Sequence, residues 1–269
     1  MTQKAIIEKH FSKLADVWKD NIYKPIHHQG VFDYFDKQYR FDHVVRMIGH
    51  IPEKKGKALD VGCGAGQLLP VLYNYNYDVF AIDVSEAMLS RAREVCQKHN
   101  IHANIEWGDC EKLKYPDSFF DLYVAMGVIE YMDTDTPMIH EIYRLLTPDG
   151  TAIVTTRNIR CLHIRWRNFF QKNIETPLKN LVRFISKRPL KEYGGISREH
   201  DPSRLCQLIK EQGFDVVEQR YVHFHFLPAP LDRWLKPVEA IVGKWMERHF
   251  GGAKFSFLAS AYIVKFQKK

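Results

Sequence analysis

The stretch Lys57-Ala-Leu-Asp-Val-Gly-Cys-Gly-Ala-Gly66 leaves this chain few ways to fold. Ala58 to Val61 is short, apolar and bounded by Gly56 and Gly62, which marks a buried strand. Gly62, Gly64 and Gly66 then recur at every second position. Having no Cβ, they let the turn take positive φ and let a ligand approach the bare backbone. Gln67-Leu-Leu-Pro-Val-Leu-Tyr73 reads as the helix that this loop opens. A strand, a glycine turn and a helix N-terminus together make a cradle for a nucleotide-like ligand.

The detail of the turn selects the ligand. A dinucleotide fingerprint needs G-x-G-x-x-G. Counted from Gly62, its third glycine would stand where Gln67 is. The pattern here is instead Asp60-x-Gly62-x-Gly64-x-Gly66. A carboxylate at the strand end suits an ammonium group and is badly placed for a pyrophosphate. A second acid, Asp83, ends the next strand-like run, Val79-Phe-Ala-Ile-Asp83. An acid about 20 residues on accepts hydrogen bonds from ribose hydroxyls in such a unit. An amino-acid end, a ribose and no phosphate describe S-adenosyl-L-methionine.

With these residues the chain resembles the class I S-adenosylmethionine-dependent methyltransferases of the small-molecule type, over roughly residues 55 to 156. The motifs are the loop from Asp60, Asp83 followed by Ser85-Glu-Ala-Met-Leu, Gly108-Asp109, Ala125-Met-Gly-Val-Ile-Glu-Tyr131, and Thr147-Pro-Asp-Gly150. In outline it is similar to the ubiquinone-pathway O-methyltransferases. The resemblance implies cofactor contacts at Asp60, Gly62, Cys63, Gly64, Gly66, Asp83, Val84, Met88, Asp109, Cys110 and Met126, with Asp109 near the adenine amino group. Met88 is equally readable as a face for the adenine ring or as ordinary core. No metal site is expected.

Strand and helix alternate from 57 to 156, with Ser85 a helix N-cap ahead of Glu86 to His99. The expected architecture is an α/β, Rossmann-like doubly wound sheet. The resemblance adds seven strands, mostly parallel, with the last antiparallel. Residues 1–52 read as an N-terminal helical lid and 53–269 as the cofactor-binding methyltransferase domain, with 157–195 a basic amphipathic helical insertion after the fifth strand. In the first part Ile6, Ile7, Phe11, Leu14, Ala15 and Trp18 recur at helical spacing, and a second helix runs from about Tyr34 to Ile51. Tyr23, His27 and His28 lie between them, either facing the acceptor or simply solvated.

Composition narrows the setting. Five cysteines with no C-x-x-C pair fit a reducing compartment and neither a disulfide framework nor a zinc site. The N-terminus lacks an apolar signal core, and no apolar run approaches the roughly 20 residues that span a bilayer. The expected location is cytoplasmic. The formal net charge of +7 is concentrated in 157–191, where ten Lys and Arg face one acid, Glu175. That segment also holds Trp166, Phe169 and Phe170, with Leu178, Leu181, Val182 and Ile185 at helical spacing and Lys179, Arg183 and Lys187 turned elsewhere. Three readings stay open for it: a basic amphipathic element peripheral on the inner membrane face, a cover for an acidic substrate, or a solvated helix pair.

Beyond it, Ser197 to Gln212 reads as a helix stopped by Gly213, and Phe214 to Val222 as a strand. Leu231 to Phe250 reads as one helix with Trp234, Leu235, Val238, Ile241, Val242 and Trp245 on a single face, and Phe255 to Phe266 as the last strand. For the chemistry, many relatives end the stretch after the fourth strand in Glu-His, whereas this chain has Glu130-Tyr131. A tyrosine with a pKa near 10 is a poor base at pH 7. His223 and His225, beyond the sixth strand and alternating along one face, are the other candidates for acceptor-side catalysis, beside Tyr131.

The leading function is methyl transfer to a small-molecule or lipid-like acceptor, at oxygen. The alternatives are an RNA methyltransferase, prompted by a pI near 9.0, and a catalytically idle cofactor-binding protein. Nucleic acid is disfavoured, because the chain has no appended RNA-binding module and no Asn/Asp-Pro-Pro-Tyr motif.

Overall fold

The strand that opens the glycine loop is covered on both faces. In the computed structural model, which describes residues 6–12, 31–51, 56–178, 180, 197–228, 231–250 and 253–269, this strand is β1 (Lys57–Val61), buried from Ala58 onward. Such a run, apolar without alternation, is what a parallel strand between two helical layers requires. β2 (Asp78–Asp83) and β4 (Phe120–Met126) pair with it in parallel on either side. β3 (Ala103–Trp107) extends the sheet beyond β2, and β5 (Leu146–Arg157) beyond β4. β7 (Ala259–Lys268) then runs antiparallel between β5 and β6 (Phe214–Phe224). The order β3-β2-β1-β4-β5-β7-β6 is the expected Rossmann-like sheet, with the last strand reversed.

Helices cover both faces. The first, α1 (residues 6–12), touches the residues that follow β2 and β4 through Ser12 and Phe11. On one face Val44, Met47 and Ile48 of α2 (Val31–Gly49) join Leu69 and Leu72 of α3 (Leu69–Asn74) and Leu89 and Ala92 of α4 (Glu86–His99). On the other, Met138, Ile139 and Ile142 of α5 (Thr136–Leu145) join Leu205 and Ile209 of α7 (Pro202–Glu211). Each buried Val, Leu, Ile or Met among them contributes about 1.5–3 kcal/mol. α6 (Leu162–Phe170) follows β5, while α8 (Leu231–Trp234) and α9 (Lys236–Phe250) lie between β6 and β7. Ser85 caps α4 as expected, its Oγ accepting the Met88 N–H at 3.4 Å.

Four expectations change. The helix after 196 begins at Pro202, not Ser197, because Asp201 is the better cap: its Oδ1 accepts the N–H groups of Ser203 and Arg204 at 2.8 and 3.4 Å. Residues 197–199 have no regular secondary structure instead, and His200 bridges to Asn158. The single helix expected from Leu231 is two, divided at Leu235. The division precedes Lys236-Pro237, where proline has no N–H with which to continue the upstream helix and suits the first turn of a new one. His223 lies inside β6 rather than beyond it, at φ +60°, so it does not alternate regularly with His225. The last strand starts at Ala259, and residues 253–258 form a 3₁₀ turn before it.

Several expectations fall on other ground. Leu14, Ala15, Trp18, Tyr23, His27 and His28 lie outside the described residues, as do Lys179, Leu181, Val182, Arg183, Ile185 and Lys187.

Candidate cofactor site and acceptor side

The carboxyl-terminal ends of β1, β2, β4, β5 and β6 share one edge of the sheet, the edge at which ligands bind in open α/β sheets. Here the loop after β1 takes positive φ at Gly62, Gly64 and Gly66, at 64°, 54° and 81°. Two of these positions have no room for a side chain. A Cβ on Gly62 would stand 2.5 Å from Val128 Cγ2, and one on Gly66 would stand 2.9 Å from the Ala92 Cα. The loop is strapped to β2: the Cys63 N–H donates to the Ile82 carbonyl at 3.0 Å, and the Gly64 N–H to Asp83 Oδ2 at 2.9 Å. Asp83 Oδ1 accepts the Ser85 N–H at 2.9 Å, so one carboxylate ties the glycine loop to the start of α4.

Asp60 is in the opposite condition. It is 2% exposed, and its Oδ2 has no hydrogen-bond partner. Burial, reinforced by the charge of Asp83, pushes its carboxyl up to about 8. An orphaned buried carboxylate oxygen costs about 1–3 kcal/mol or more. A ligand ammonium removes that cost, so the residues present fit the amino-acid end of S-adenosylmethionine. Burial also raises Asp83, against the opposing effect of the Ser85 and Gly64 N–H groups.

The other expected contacts lie at or just after the ends of β2, β3 and β4 and in the first turn of α4. Met88 is fully buried in the first turn of α4, and Val84 and Met126 are half-buried at the ends of β2 and β4. Asp109 Oδ1 accepts the Glu111 N–H at 3.1 Å, and Cys110 is buried with its Sγ 3.3 Å from Met132 Sδ. Two further features carry no motif in the sequence. Trp107, largely exposed, donates its indole N–H to the Val84 carbonyl at 3.0 Å. Ser12 of α1 meets Ser85, Oγ to Oγ, at 3.0 Å, while the neighbouring Phe11 ring stands edge-on to Tyr131 at 5.2 Å. Residues 11 and 12 thus link the ends of β2 and β4. The apolar spacing of α1 is legible in the sequence; its partners are not.

Tyr131 follows β4 in a 3₁₀ turn, and burial raises its hydroxyl further, with Glu130 adding to it. Glu130 pairs with Arg40 of α2 at 3.2 Å. The preceding residue of α2, Tyr39, stacks on His223 with centroids 6.2 Å apart. His223 and His225 are both buried, and with His163 of α6 they form a ring cluster, His163 to His225 at 4.1 Å and His223 to His225 at 4.3 Å. His223 Nδ1 meets Ser260 Oγ at 2.8 Å, and His225 Nδ1 meets Glu239 Oε1 at 3.2 Å. Burial pushes the Glu239 carboxyl up to about 7, against the Phe226 and Leu227 N–H groups that it accepts. The sheet separates this cluster from Tyr131: β6 is three places from β4, about 14 Å at 4.8 Å per strand. Neither Arg40 nor the cluster partners Ser260 and Glu239 carry any motif that singles them out.

Residues 59–154 match the methyltransferase domain family. The chain is 27% identical over 213 residues to phosphoethanolamine N-methyltransferase 3 of Arabidopsis thaliana, a match covering 76% of this chain and 39% of that one. It is 26% identical over 179 residues to the ubiquinone biosynthesis O-methyltransferase of Coxiella burnetii, covering 66% of this chain and 72% of that one. The magnesium protoporphyrin IX methyltransferase of Synechocystis PCC 6803, crystallised with S-adenosylhomocysteine, has the same fold: TM-score 0.64 at 15% identity, over 99% of this chain and 100% of that one. With the glycine loop and both strand-end acids inside the matched stretch, residues 59–154 belong to the methyltransferase domain family, whose cofactor is S-adenosylmethionine.

Proposed function

We propose that this protein transfers a methyl group from S-adenosylmethionine to the oxygen of a small, lipid-like acceptor. The observation that carries the reading is the unpartnered Asp60 oxygen beside the loop-bound Asp83, a site prepared for an ammonium and a ribose. The bound cofactor supplies an electrophilic sulfonium methyl. The chain then contributes alignment and exclusion of water, which such a displacement chiefly requires. Asp60 holds the amino-acid end, and Asp83 the ribose while fixing the loop. Residues 1–52 serve as the lid, consistent with the Ser12–Ser85 and Phe11–Tyr131 contacts.

A hydroxyl acceptor also needs its proton removed. Ser260 has one hydroxyl proton, and it donates to the His223 carbonyl at 3.2 Å. His223 Nδ1 therefore carries its own proton toward Ser260, which leaves the lone pair on Nε2. In that tautomer Nε2 is the atom able to take the acceptor's proton. An acceptor long enough to run from the β4 end to the β6 end would meet both Tyr131 and His223. The basic segment 157–191 would hold the enzyme at the anionic surface where such acceptors reside.

The plant relative is named for transfer to nitrogen, which favours a second reading with an amine acceptor. Incubation of the protein with methyl-labelled cofactor and a lipid extract, followed by identification of the labelled product, separates the two. A labelled ether or ester supports oxygen, a labelled amine supports nitrogen, and no labelled product contradicts both.

A further inference from the structure

The face formed by α8 and α9 is apolar where it meets solvent. Trp234, Val238, Ile241 and Trp245 recur at i, i+4, i+7 and i+11, and all four are exposed, Trp234 to 75% and Ile241 to 70%. Isolated exposed apolar residues are ordinary, but a continuous stripe with two tryptophans marks an interaction surface. The charges sort around it. The three acids of 231–250 are turned away: Asp232 and Glu239 are buried, and Glu247 is held by His43 at 2.6 Å. Lys244 and Arg248, one turn apart, are exposed beside the stripe.

α6 repeats the arrangement. Leu162, Trp166 and Phe169 are exposed, with Arg165 and Lys172 exposed beside them. The two elements are joined underneath, where His163 of α6 meets Asp232 of α8 at 3.5 Å and the Leu227 carbonyl at 2.9 Å.

We propose that α8 and α9 form the main apolar anchor by which this protein sits on an anionic lipid bilayer, with α6 as its neighbour. This goes beyond the basic segment 157–191 and rests on the reading of peripheral attachment. Charge complementarity selects the partner. An outward surface of tryptophan, isoleucine, lysine and arginine, with its carboxylates turned inward, matches acyl chains beneath acidic headgroups. Tryptophan is favoured at that depth, where the ring is half apolar and its N–H is wet.

The test is co-sedimentation of the full chain with phosphatidylcholine vesicles with and without phosphatidylglycerol. Three proteins are compared: the natural chain, a Trp234→Gln/Ile241→Gln/Trp245→Gln variant, and a Trp166→Gln/Phe169→Gln variant. Titration with S-adenosylhomocysteine confirms that each is folded. The expected result is binding of the natural chain that depends on phosphatidylglycerol, and a loss of about tenfold or more in the α8–α9 variant. An α8–α9 variant that binds like the natural chain while the α6 variant does not would overturn this inference and leave attachment through 157–191 standing. A natural chain that binds neither vesicle would overturn both. Self-association abolished by the α8–α9 substitutions would assign the face to a second copy and overturn the lipid partner.

Discussion

Asp60 and Asp83 end neighbouring parallel strands, and Asp83 is hydrogen-bonded through both oxygens while one oxygen of Asp60 has no partner. Asp83 accepts the Gly64 and Ser85 N–H groups, both at 2.9 Å, whereas Asp60 Oδ2 has no partner. Asp83 builds the loop and Asp60 waits for a cation. The cofactor's ammonium is the group that would complete the site, so binding and local stability are coupled at Asp60.

Asp60→Asn should therefore move affinity and stability in opposite directions. Losing a buried charge pair with the ligand costs about 2–5 kcal/mol, so the dissociation constant for S-adenosylmethionine should rise about 30-fold or more. The ligand-free protein should become more stable at pH 8. The folded carboxyl, at about 8, lies above its unfolded value near 3.9, so its contribution is fully present below pH 4 and is lost as pH rises through 8. Asparagine has no such loss. Thermal melts at pH 5 and pH 8, with and without cofactor, check both signs.

The same shift makes cofactor binding release protons. At pH 7 a carboxyl titrating at about 8 is mostly protonated in the free protein, and an ammonium beside it favours the ionised form. Calorimetric enthalpies at pH 7 in buffers of different ionisation enthalpy should differ by up to about one proton per site. Enthalpies that do not depend on the buffer would rule out this titration.

Gly66→Ala should damage the loop. A Cβ there meets backbone, the Ala92 Cα at 2.9 Å, at φ +81°. The conformation alone costs about 1–3 kcal/mol. The melting temperature should fall by about 4 °C or more, and cofactor affinity should fall with it. A neutral substitution would mean that the α4 contact yields easily.

If His223 is the base, His223→Ala should lower kcat by more than about tenfold and leave the dissociation constant for S-adenosylhomocysteine unchanged. Tyr131→Phe should change kcat little, because burial raises that hydroxyl beyond the reach of neutral pH. Steady-state kinetics with the identified acceptor decide between the residues. Unchanged turnover in the His223 variant would remove it from the mechanism.

The cradle is legible in the sequence because its causes are local. Glycine at alternate positions and an acid at each strand end follow from backbone conformation and from charge, which show in short stretches of chain. The start of α7 is misleading for a related reason. Ser197-Arg-Glu-His200 resembles a capping sequence, but Asp201-Pro202 places a stronger cap beside a proline suited to the first turn. Asp201→Ala should accordingly cost about 1 kcal/mol in a denaturant melt. The histidine cluster is only half legible: His223 and His225 stand together in the sequence, but His163 of α6 and Ser260 of β7 reach them from distant parts of the chain. The exposed stripe on α8 and α9 is visible as a helical pattern. Its periodicity alone does not say whether it faces the core or the solvent.

The most direct measurement is calorimetric titration of the folded protein with S-adenosylmethionine and S-adenosylhomocysteine, beside Asp60→Asn. The natural chain should bind both at one site, and the variant should bind each about 30-fold more weakly. Failure of the natural chain to bind either compound, or equal binding by the two proteins, would contradict the role assigned to Asp60.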